Sequence, residues 1–189
     1  MWYVMQVMSG KELQTILMME RGISCGILEN CFVPVRRMKK KYQGRWQEIT
    51  EKLFPGYVFL ISSEPQSLYR ELKQIPALTK LLGNCEQYFT PLSKKDERFL
   101  MKLQNMQTIS HMPSKERKAG LPEVELSRVI VEENRKIRIV SGPLRNLEGQ
   151  IKKINLHKRI AVVEAEFMGN KSLLHLGIEI VGKGEDFYE

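Results

Sequence analysis

The run of residues 51–60 constrains the fold more than any other part of the sequence. It reads Glu-Lys-Leu-Phe-Pro-Gly-Tyr-Val-Phe-Leu and predicts a β-strand, because it is rich in aromatic and β-branched residues. Pro55 cannot donate to a sheet ladder and Gly56 tolerates close backbone approach, so we expect a kink or bulge there. Beyond the kink, alternation places Tyr57 and Phe59 on one face and aliphatic residues on the other. One apolar face packs into a core, and the other is covered either by a helix of the same domain or by a partner.

The first 106 residues alternate between strand and helix patterns. Residues 2–8 alternate loosely as a strand, and a helix follows whose apolar stripe of Leu13, Ile16 and Leu17 is expected to face the core. Two further helices are predicted to begin at Glu64 and Ser93, the first because proline is favoured in a first turn and the second because of a capping box. This order predicts an α+β fold with helices on the faces of a mainly antiparallel sheet.

A β-hairpin is predicted between residues 30 and 60, with its turn at Gln43-Gly44. Basic residues gather near this turn and form either a binding patch or a solvated tip, since hairpins often carry charge for solubility. The basic residues are Arg36, Arg37, Lys39, Lys40, Lys41 and Arg45.

Residues 107–126 lose periodicity and contain proline, glycine and charged residues, which predicts a flexible linker. Short β-rich runs then follow one another closely between residues 129 and 181, as is typical of a small all-β barrel. The sequence therefore predicts two domains, residues 1–106 and residues 127–189.

The net charge of +8 suggests a polyanionic partner, with a solvated basic surface as the alternative. Lys and Arg outnumber Asp and Glu by 16 to 10 in residues 1–105 and by 9 to 4 in residues 135–181. Because both predicted domains are basic, nucleic acid is favoured as a partner.

Three cysteines, Cys25, Cys31 and Cys85, are odd in number and form no Cys-x-x-Cys pair, so neither a disulfide framework nor a zinc site is expected. No apolar stretch approaches the roughly 20 residues that span a bilayer, and no secretory signal pattern precedes the first strand. We therefore expect a cytoplasmic protein without a membrane partner.

No catalytic constellation is recognisable. His111, His157 and His175 are scattered without metal-ligand spacing, and neither a phosphate-binding glycine loop nor a nucleophile elbow is present. The sequence therefore predicts a binding protein without cofactor or metal, and not an enzyme.

Four segments in order and register resemble the NusG family of transcription elongation factors across nearly the whole chain. They are Trp2-Tyr3-Val4, Phe32-Val33-Pro34, the Phe-Pro-Gly-Tyr-Val-Phe run at 54–59, and the Ile-Arg-Ile-Val-Ser-Gly-Pro-Leu-Arg-Asn-Leu-Glu-Gly run at 137–149. The resemblance implies an N-terminal NGN-type domain followed by a KOW (SH3-like) barrel. In such proteins the first domain docks as a monomer on the clamp helices of the largest subunit of RNA polymerase. The implied docking pocket consists of Phe54, Tyr57 and Phe59, with Gln6 and Met18 at its edge.

Two segments depart from the pattern of general NusG proteins. Where those typically show Arg-Asn-Thr-Pro-Gly-Val-Thr, residues 73–79 read Lys-Gln-Ile-Pro-Ala-Leu-Thr. The implied contact to non-template DNA therefore lacks the Asn-Thr pair that makes it. The barrel loop usually written Phe-Gly-Arg is Met168-Gly169-Asn170, so the phenylalanine that anchors a ribosomal protein or termination factor is replaced. Phe167 precedes it by one residue, and such a shift in a strand faces the other way.

The barrel is instead rich in basic residues, and in this respect the chain resembles the specialised antitermination paralogues of NusG, most closely the LoaP group. In that group the KOW barrel recognises a hairpin in the nascent leader transcript. A general elongation factor whose barrel binds protein partners remains the alternative. The residues expected to contact RNA are Arg145, Asn146, Lys152, Lys153, His157, Lys158, Arg159, Asn170 and Lys171.

Seven of these residues fall at two places on the predicted barrel. Loops 141–148 and 168–172 are expected to share one rim, which combines charge with side-chain amides able to read a base edge. The turn 155–159 is expected at the other end. The sequence alone does not decide which end meets RNA.

Overall fold

The computed structural model describes residues 1–75, 89–104, 123–132 and 136–183. By proximity they form two compact units, the first from residues within 1–34 and 52–98 and the second from residues within 35–51, 99–104 and 123–183. Residues 35–51 are thus grouped with the C-terminal part, whereas the predicted boundaries placed them in the N-terminal domain. Most of the predicted linker lies outside the described residues.

The described residues form strands more often than helices. In chain order the strands are β1 (Trp2–Gln6), β2 (Asn30–Phe32), β3 (Val35–Tyr42), β4 (Arg45–Lys52), β5 (Tyr57–Ile61), β6 (Phe89–Pro91), β7 (Glu123–Val124), β8 (Ser127–Val131), β9 (Ile137–Ser141), β10 (Ile151–Asn155), β11 (Ile160–Phe167) and β12 (Asn170–Lys183). The helices are α1 (Glu12–Gly22), α2 (Pro65–Gln74) and α3 (Lys94–Gln104), and two 3-10 turns span Pro143–Asn146 and Glu148–Gln150.

The first unit is built on a four-stranded sheet in the order β2-β5-β1-β6. Its strands are antiparallel, and β1 pairs with β5 so that Met5 lies opposite Val58 and Val4 opposite Phe59. Met5 and Val58 belong to the core, which also contains Ile16 and Met19 of α1 and Leu68 and Leu72 of α2. The alternation predicted for β5 is therefore confirmed.

Helices α2 and α3 begin as the sequence predicted. Pro65 occupies the first turn of α2, and the helix ends at Gln74. Before α3, the Ser93 hydroxyl accepts a hydrogen bond from the Asp96 amide at 3.1 Å and donates to the Asp96 carboxylate at 2.6 Å. This confirms a capping arrangement with aspartate in the place of glutamate.

The apolar stripe predicted for α1 is wrong in part. Ile16 is buried, but Leu13 and Leu17 are 56% and 52% exposed, and the helix instead buries Glu12, Thr15 and Met19. Periodicity predicted correctly that α1 is amphipathic, but Leu13 and Leu17 lie on its exposed side. An amphipathic pattern does not show which face of a helix is covered by another element.

The second unit contains two sheets. Strands β10, β11, β12, β8 and β9 form one in that order, with β12 parallel to β8 and the other pairs antiparallel. Strands β4, β3 and β7 form the other, so Glu123–Val124 is a strand inside the predicted linker. Gln43 and Gly44 connect β3 to β4 with φ of 48° and 81°, which a two-residue hairpin turn requires.

The two sheets of this unit approach closely at Gly177 of β12. A Cβ atom at this position would lie 2.4 Å from the carbonyl oxygen of Arg37 in β3, so only glycine fits. The predicted fold class, α+β with an antiparallel N-terminal sheet and a small all-β C-terminal part, is confirmed.

Candidate functional site

The Pro55-Gly56 interruption separates two strands completely, since β4 ends at Lys52 and β5 begins at Tyr57. Gly56 has φ of 82°, and its carbonyl accepts a hydrogen bond from the Val7 amide at 2.8 Å. Glycine is suited to this position because the left-handed conformation strains other residues. The turn is therefore held by the residue that directly follows β1.

A buried carboxylate, Glu12, holds the same turn from the side of α1. Its Oε1 accepts a hydrogen bond from the Gly56 amide at 2.8 Å, and its Oε2 lies 2.6 Å from Nζ of Lys52. Burial by itself would raise the pKa of Glu12, but the contacts to Lys52 and Gly56 lower it to about 2. Glu12 is therefore ionised near neutral pH and ties α1 to both ends of the turn.

A row of aromatic rings lies on the face of the sheet opposite the helical core. Phe59 stacks on Phe32 at 5.7 Å and contacts Phe54 at 5.9 Å, while Phe32 meets the Trp2 ring edge-on at 5.5 Å. Phe59 is fully buried, whereas Phe54 and Tyr57 are half-buried. The predicted pocket residue Phe59 is thus internal in this structure, and it supports the rings that reach the surface.

The remaining residues predicted for this pocket, Gln6 and Met18, have different surroundings. Gln6 is exposed and pairs directly with Tyr57 across β1 and β5. Met18 is half-buried and packs against the helical core. Apolar surface continues on α1, where Leu13 and Leu17 lie one turn apart, and in the loop before it, where Met8 is exposed. The first unit therefore presents exposed apolar side chains on α1 as well as partly exposed rings at the turn.

The basic residues of β3 are largely paired with carboxylates. Arg37 contacts Glu48 and Glu123 at 3.0 and 2.8 Å, and Lys39 lies 3.0 Å from Glu179. These pairs connect β3 to its neighbours β4, β7 and β12, so part of the charge predicted for the hairpin tip is structural.

Glu51 is shared by two cations, Lys40 at 2.7 Å and Arg36 at 3.3 Å. Lys40, and to a lesser extent Arg36, lowers the pKa of Glu51 against the opposing effect of burial. Two positive charges therefore face one negative charge at this point. Within the part of the chain that the structure describes, exposed Lys41 has no carboxylate partner.

The turn between β10 and β11 carries three residues predicted to bind RNA. Asn155 Oδ1 accepts a hydrogen bond from the Lys158 amide at 2.9 Å, and Arg159 has φ of 53°. His157 and Lys158 are exposed, whereas the Arg159 guanidinium lies 4.3 Å from the ring centroid of Trp46 in β4. The turn is therefore fixed against the hairpin by a cation-π contact.

Arg145 and Asn146 are exposed on the first 3-10 turn and line a cavity of about 290 Å³ with Lys102 and Glu125. Asn170 and Lys171 do not line this cavity. They lie at the tip of the β11–β12 hairpin, where Asn170 pairs with Phe167. Of the four residues expected on one rim, Arg145 and Asn146 line this cavity. Lys152 and Lys153 are exposed on β10, and Lys152 pairs with Glu164 at 3.2 Å.

Within the described ranges, no group of three or more His, Cys, Asp or Glu residues is placed to hold a metal ion. The helices that the structure describes include none long and apolar enough to cross a membrane.

Comparison with known proteins identifies the family to which this protein belongs. A family model described as "Transcription termination factor nusG" matches residues 1–101, which is more than half of the 189 residues. The protein therefore belongs to the NusG family of transcription factors.

Individual relatives agree with this assignment over the whole chain. The transcription termination/antitermination protein NusG of Neisseria meningitidis is 24% identical over 186 residues, covering 96% of this chain and 97% of its own. NusG of Thermus thermophilus is 23% identical over 192 residues with the same coverage. A solved structure reported for domain interaction in Thermotoga maritima NusG covers 93% of this chain and 92% of its own, with a TM-score of 0.52 and 21% identity, which supports the fold.

Sequence reasoning missed two residues of these sites. Glu12 is a charged residue in a first helical turn, which ordinarily indicates a favourable interaction with the helix dipole and no more. Its partner Gly56 lies 44 residues away, and only the structure shows that they meet. Trp46 was not among the predicted site residues, although an aromatic residue beside a basic hairpin tip is a signal that could have identified it.

Proposed function

We propose that this protein is a processive antitermination factor that docks on RNA polymerase through its N-terminal part and recognises a leader RNA hairpin through its KOW-like barrel. Residues 1–106 would form the docking domain and residues 127–189 the RNA-binding domain, joined by a linker at 107–126 whose residues Glu123–Val124 form β7. Such a factor is a cytoplasmic monomer and acts by binding, not by catalysis.

The observation that carries the docking proposal is the apolar surface of the first unit. Phe54 and Tyr57 are partly exposed at the turn whose Gly56 amide is bound by Glu12. Leu13 and Leu17 add exposed apolar side chains on α1, the helix that carries Glu12. Large apolar side chains on rigid elements are suited to anchor a helical partner such as the clamp helices. Gln6, which pairs with Tyr57, and Met18 would contribute to the edge of the docking surface, and Phe59 would support it from within.

RNA recognition is supported by the exposed basic residues of the barrel. Lys152, Lys153, His157, Lys158 and Lys171 are all exposed. Arg145 and Asn146 add donors and acceptors able to contact a base edge. Regular A-form RNA hides its base edges in a deep groove, so a hairpin with a loop, bulge or opened groove is the expected ligand. Tethering the hairpin near the docked factor would make a weak affinity effective.

The docking proposal is tested by co-purification of RNA polymerase with the full-length protein. Leu13→Ala with Leu17→Ala, and separately Tyr57→Ala, are expected to reduce the recovered polymerase by at least tenfold. Leu173→Ala is a matched control, because Leu173 is 61% exposed but belongs to the barrel. Equal recovery with all variants would contradict the docking surface.

A general elongation factor whose barrel binds a ribosomal protein or termination factor is the second candidate. It is favoured by the similarity to general NusG proteins over 96% of the chain. Against it, Phe167 is buried and its ring lies 6.2 Å from that of Phe99, so it does not replace the missing loop phenylalanine at the surface. Sequencing of nascent RNA recovered with polymerase separates the two. Enrichment of one leader hairpin, lost when that hairpin is deleted, is expected only of the antitermination factor.

A further inference from the structure

The second unit contains a cleft of about 350 Å³ that the candidate sites above do not explain. Its volume falls in the range of small-ligand sites, about 300–1,000 Å³. Residues of the β3–β4 hairpin form one side, and the turn after β10 with the exposed His175 of β12 forms the other. All of them belong to one compact unit, so the cleft is a feature of that unit.

The floor of the cleft is apolar and its rim is basic. Met38 is buried at the floor, and the half-buried side chains of Trp46 and Ile160 lie beside it. Lys41 and Lys158 are exposed at the rim, and neither has a carboxylate partner among the described residues. Lys40 and Arg36 share the single carboxylate of Glu51, so the cleft carries a net positive charge.

Trp46 is held in position by Arg159. The guanidinium lies 4.3 Å from the indole centroid, and Arg159 does not itself line the cleft. Its backbone adopts a left-handed conformation that non-glycine residues rarely adopt, and such conformations concentrate at functional sites. The turn after β10 therefore fixes the indole while leaving Trp46 available at the cleft.

We propose that this cleft receives one unstacked nucleotide of an RNA, with the base against Trp46 and the adjacent phosphates on Lys41 and Lys158. A flat base needs an apolar, aromatic surface, and phosphates need exposed cations, which is the combination used by proteins that bind unpaired nucleotides. The RNA-binding surface therefore includes the hairpin at residues 35–51 as well as the barrel. This inference rests on the proposed RNA recognition and specifies the part of the RNA that is read.

The test uses the full-length protein and two RNA hairpins that share stem and loop, one of which carries a single bulged adenosine. Stacking of one base on an aromatic side chain is expected to favour the bulged RNA by about tenfold in Kd. Trp46→Ala should remove this preference, and Trp46→Phe should retain most of it. Thermal unfolding of each variant verifies that it is folded, and Trp46→Phe keeps the test informative if the alanine variant is unstable.

Charge at the rim is tested separately. Lys41→Ala with Lys158→Ala should weaken binding of both RNAs several-fold and reduce the log-log salt slope by about one to two units. Lys94→Ala with Lys95→Ala removes the same charge from α3 and should leave binding unchanged. In a version with Trp2→Phe, Trp46 is the only tryptophan, and its fluorescence should change more with the bulged RNA than with the paired one.

The outcomes distinguish this inference from the function on which it rests. Equal affinity for the two hairpins, unaffected by Trp46→Ala, would overturn the nucleotide cleft and leave RNA binding by the barrel intact. If neither hairpin bound and an acidic peptide bound in a Trp46-dependent manner, both the cleft and the proposed RNA recognition would be wrong.

Discussion

At the scale of single residues, Glu12 makes the stability of the first unit depend on pH. Its pKa in the folded protein is about 2, below the ordinary 4.5, so its ionised form stabilises the fold above about pH 4.5, and this contribution is lost as the pH falls towards 2. At about 1.4 kcal/mol for each pH unit, the full effect is roughly 3 kcal/mol.

Replacement by glutamine tests this directly. Glu12→Gln can still accept a hydrogen bond from the Gly56 amide but loses the charge that faces Lys52. Urea unfolding should show a lower free energy of unfolding for the variant at pH 7, and the gap from the original protein should shrink by about 2 kcal/mol between pH 6 and pH 3. Glu20→Gln on the exposed side of α1 is the matched control. A gap that stays constant with pH would show that Glu12 is not the titrating group.

Phe59 and Tyr57 are two positions apart but are expected to respond differently to truncation. Phe59 is fully buried between Phe32 and Phe54, so Phe59→Ala should lower the free energy of unfolding by about 3–5 kcal/mol. Tyr57 is half-buried, so Tyr57→Ala should cost about 1 kcal/mol. Chemical denaturation of the two variants measures both. Similar losses would mean that Tyr57 belongs to the core and does not report on docking.

At the scale of secondary-structure elements, Gly177 controls how β3 packs on β12. A Cβ here would lie 2.4 Å from the Arg37 carbonyl oxygen, a backbone atom that moves only if β3 moves. Gly177→Ala should therefore displace the hairpin and weaken the hydrogen bond from Arg36 to the His175 carbonyl, now 2.7 Å. Trypsin should then cleave within residues 36–45 several times faster, since local opening exposes the backbone.

The control for this prediction is Gly149→Ala. Gly149 also lies in the second unit, but a Cβ there would meet no atom within 4 Å. Equal cleavage rates at the hairpin in both variants would show that β3 does not depend on close approach at Gly177.

At the scale of the whole molecule, charge should govern the affinity for RNA. Each phosphate contact contributes about 0.7–0.9 to the slope of log affinity against log salt, so several contacts predict a steep dependence. Lys158→Ala should lower affinity for all RNAs about equally and reduce the slope by about one. Filter binding across a salt series measures this with the full-length protein. Lys94→Ala, on α3 of the first unit, should leave the slope unchanged, and a similar decrease there would indicate a diffuse effect of net charge.

Local pattern was sufficient to predict much of the fold. The alternation in β5, the Gln43-Gly44 turn, the start of α2 and the cap of α3 all depend on neighbouring residues, and the structure agrees with them. The errors concern contacts that are distant in sequence. Leu13 and Leu17 were assigned to the core because periodicity does not identify which face is covered. The hydrogen bond from Arg36 to the His175 carbonyl joins residues 139 positions apart, and no local pattern indicates it.

In the candidate site, too, the sequence predicted which residues take part but not their burial or their long-range contacts. The family resemblance supplied Phe54, Tyr57 and Phe59 as a set, but burial separates Phe59 from the other two. The basic residues of the hairpin were identified, whereas their pairing with Glu48, Glu51 and Glu179 depends on strand neighbours that sequence alone does not reveal.

The pairing of β1 also has a consequence during synthesis on the ribosome. Tyr3 of β1 lies opposite Leu60 in β5 and opposite Pro91 in β6. The ribosome adds Pro91 to the chain 88 residues after Tyr3, since 91 − 3 = 88. At roughly 5–20 residues per second, β1 waits roughly 4–18 s for its second neighbour. During this time the edge of β1 that pairs with β6 is uncovered even after β5 has been made, and nascent chains halted before residue 91 should be more susceptible to chaperone capture and aggregation than chains halted after it.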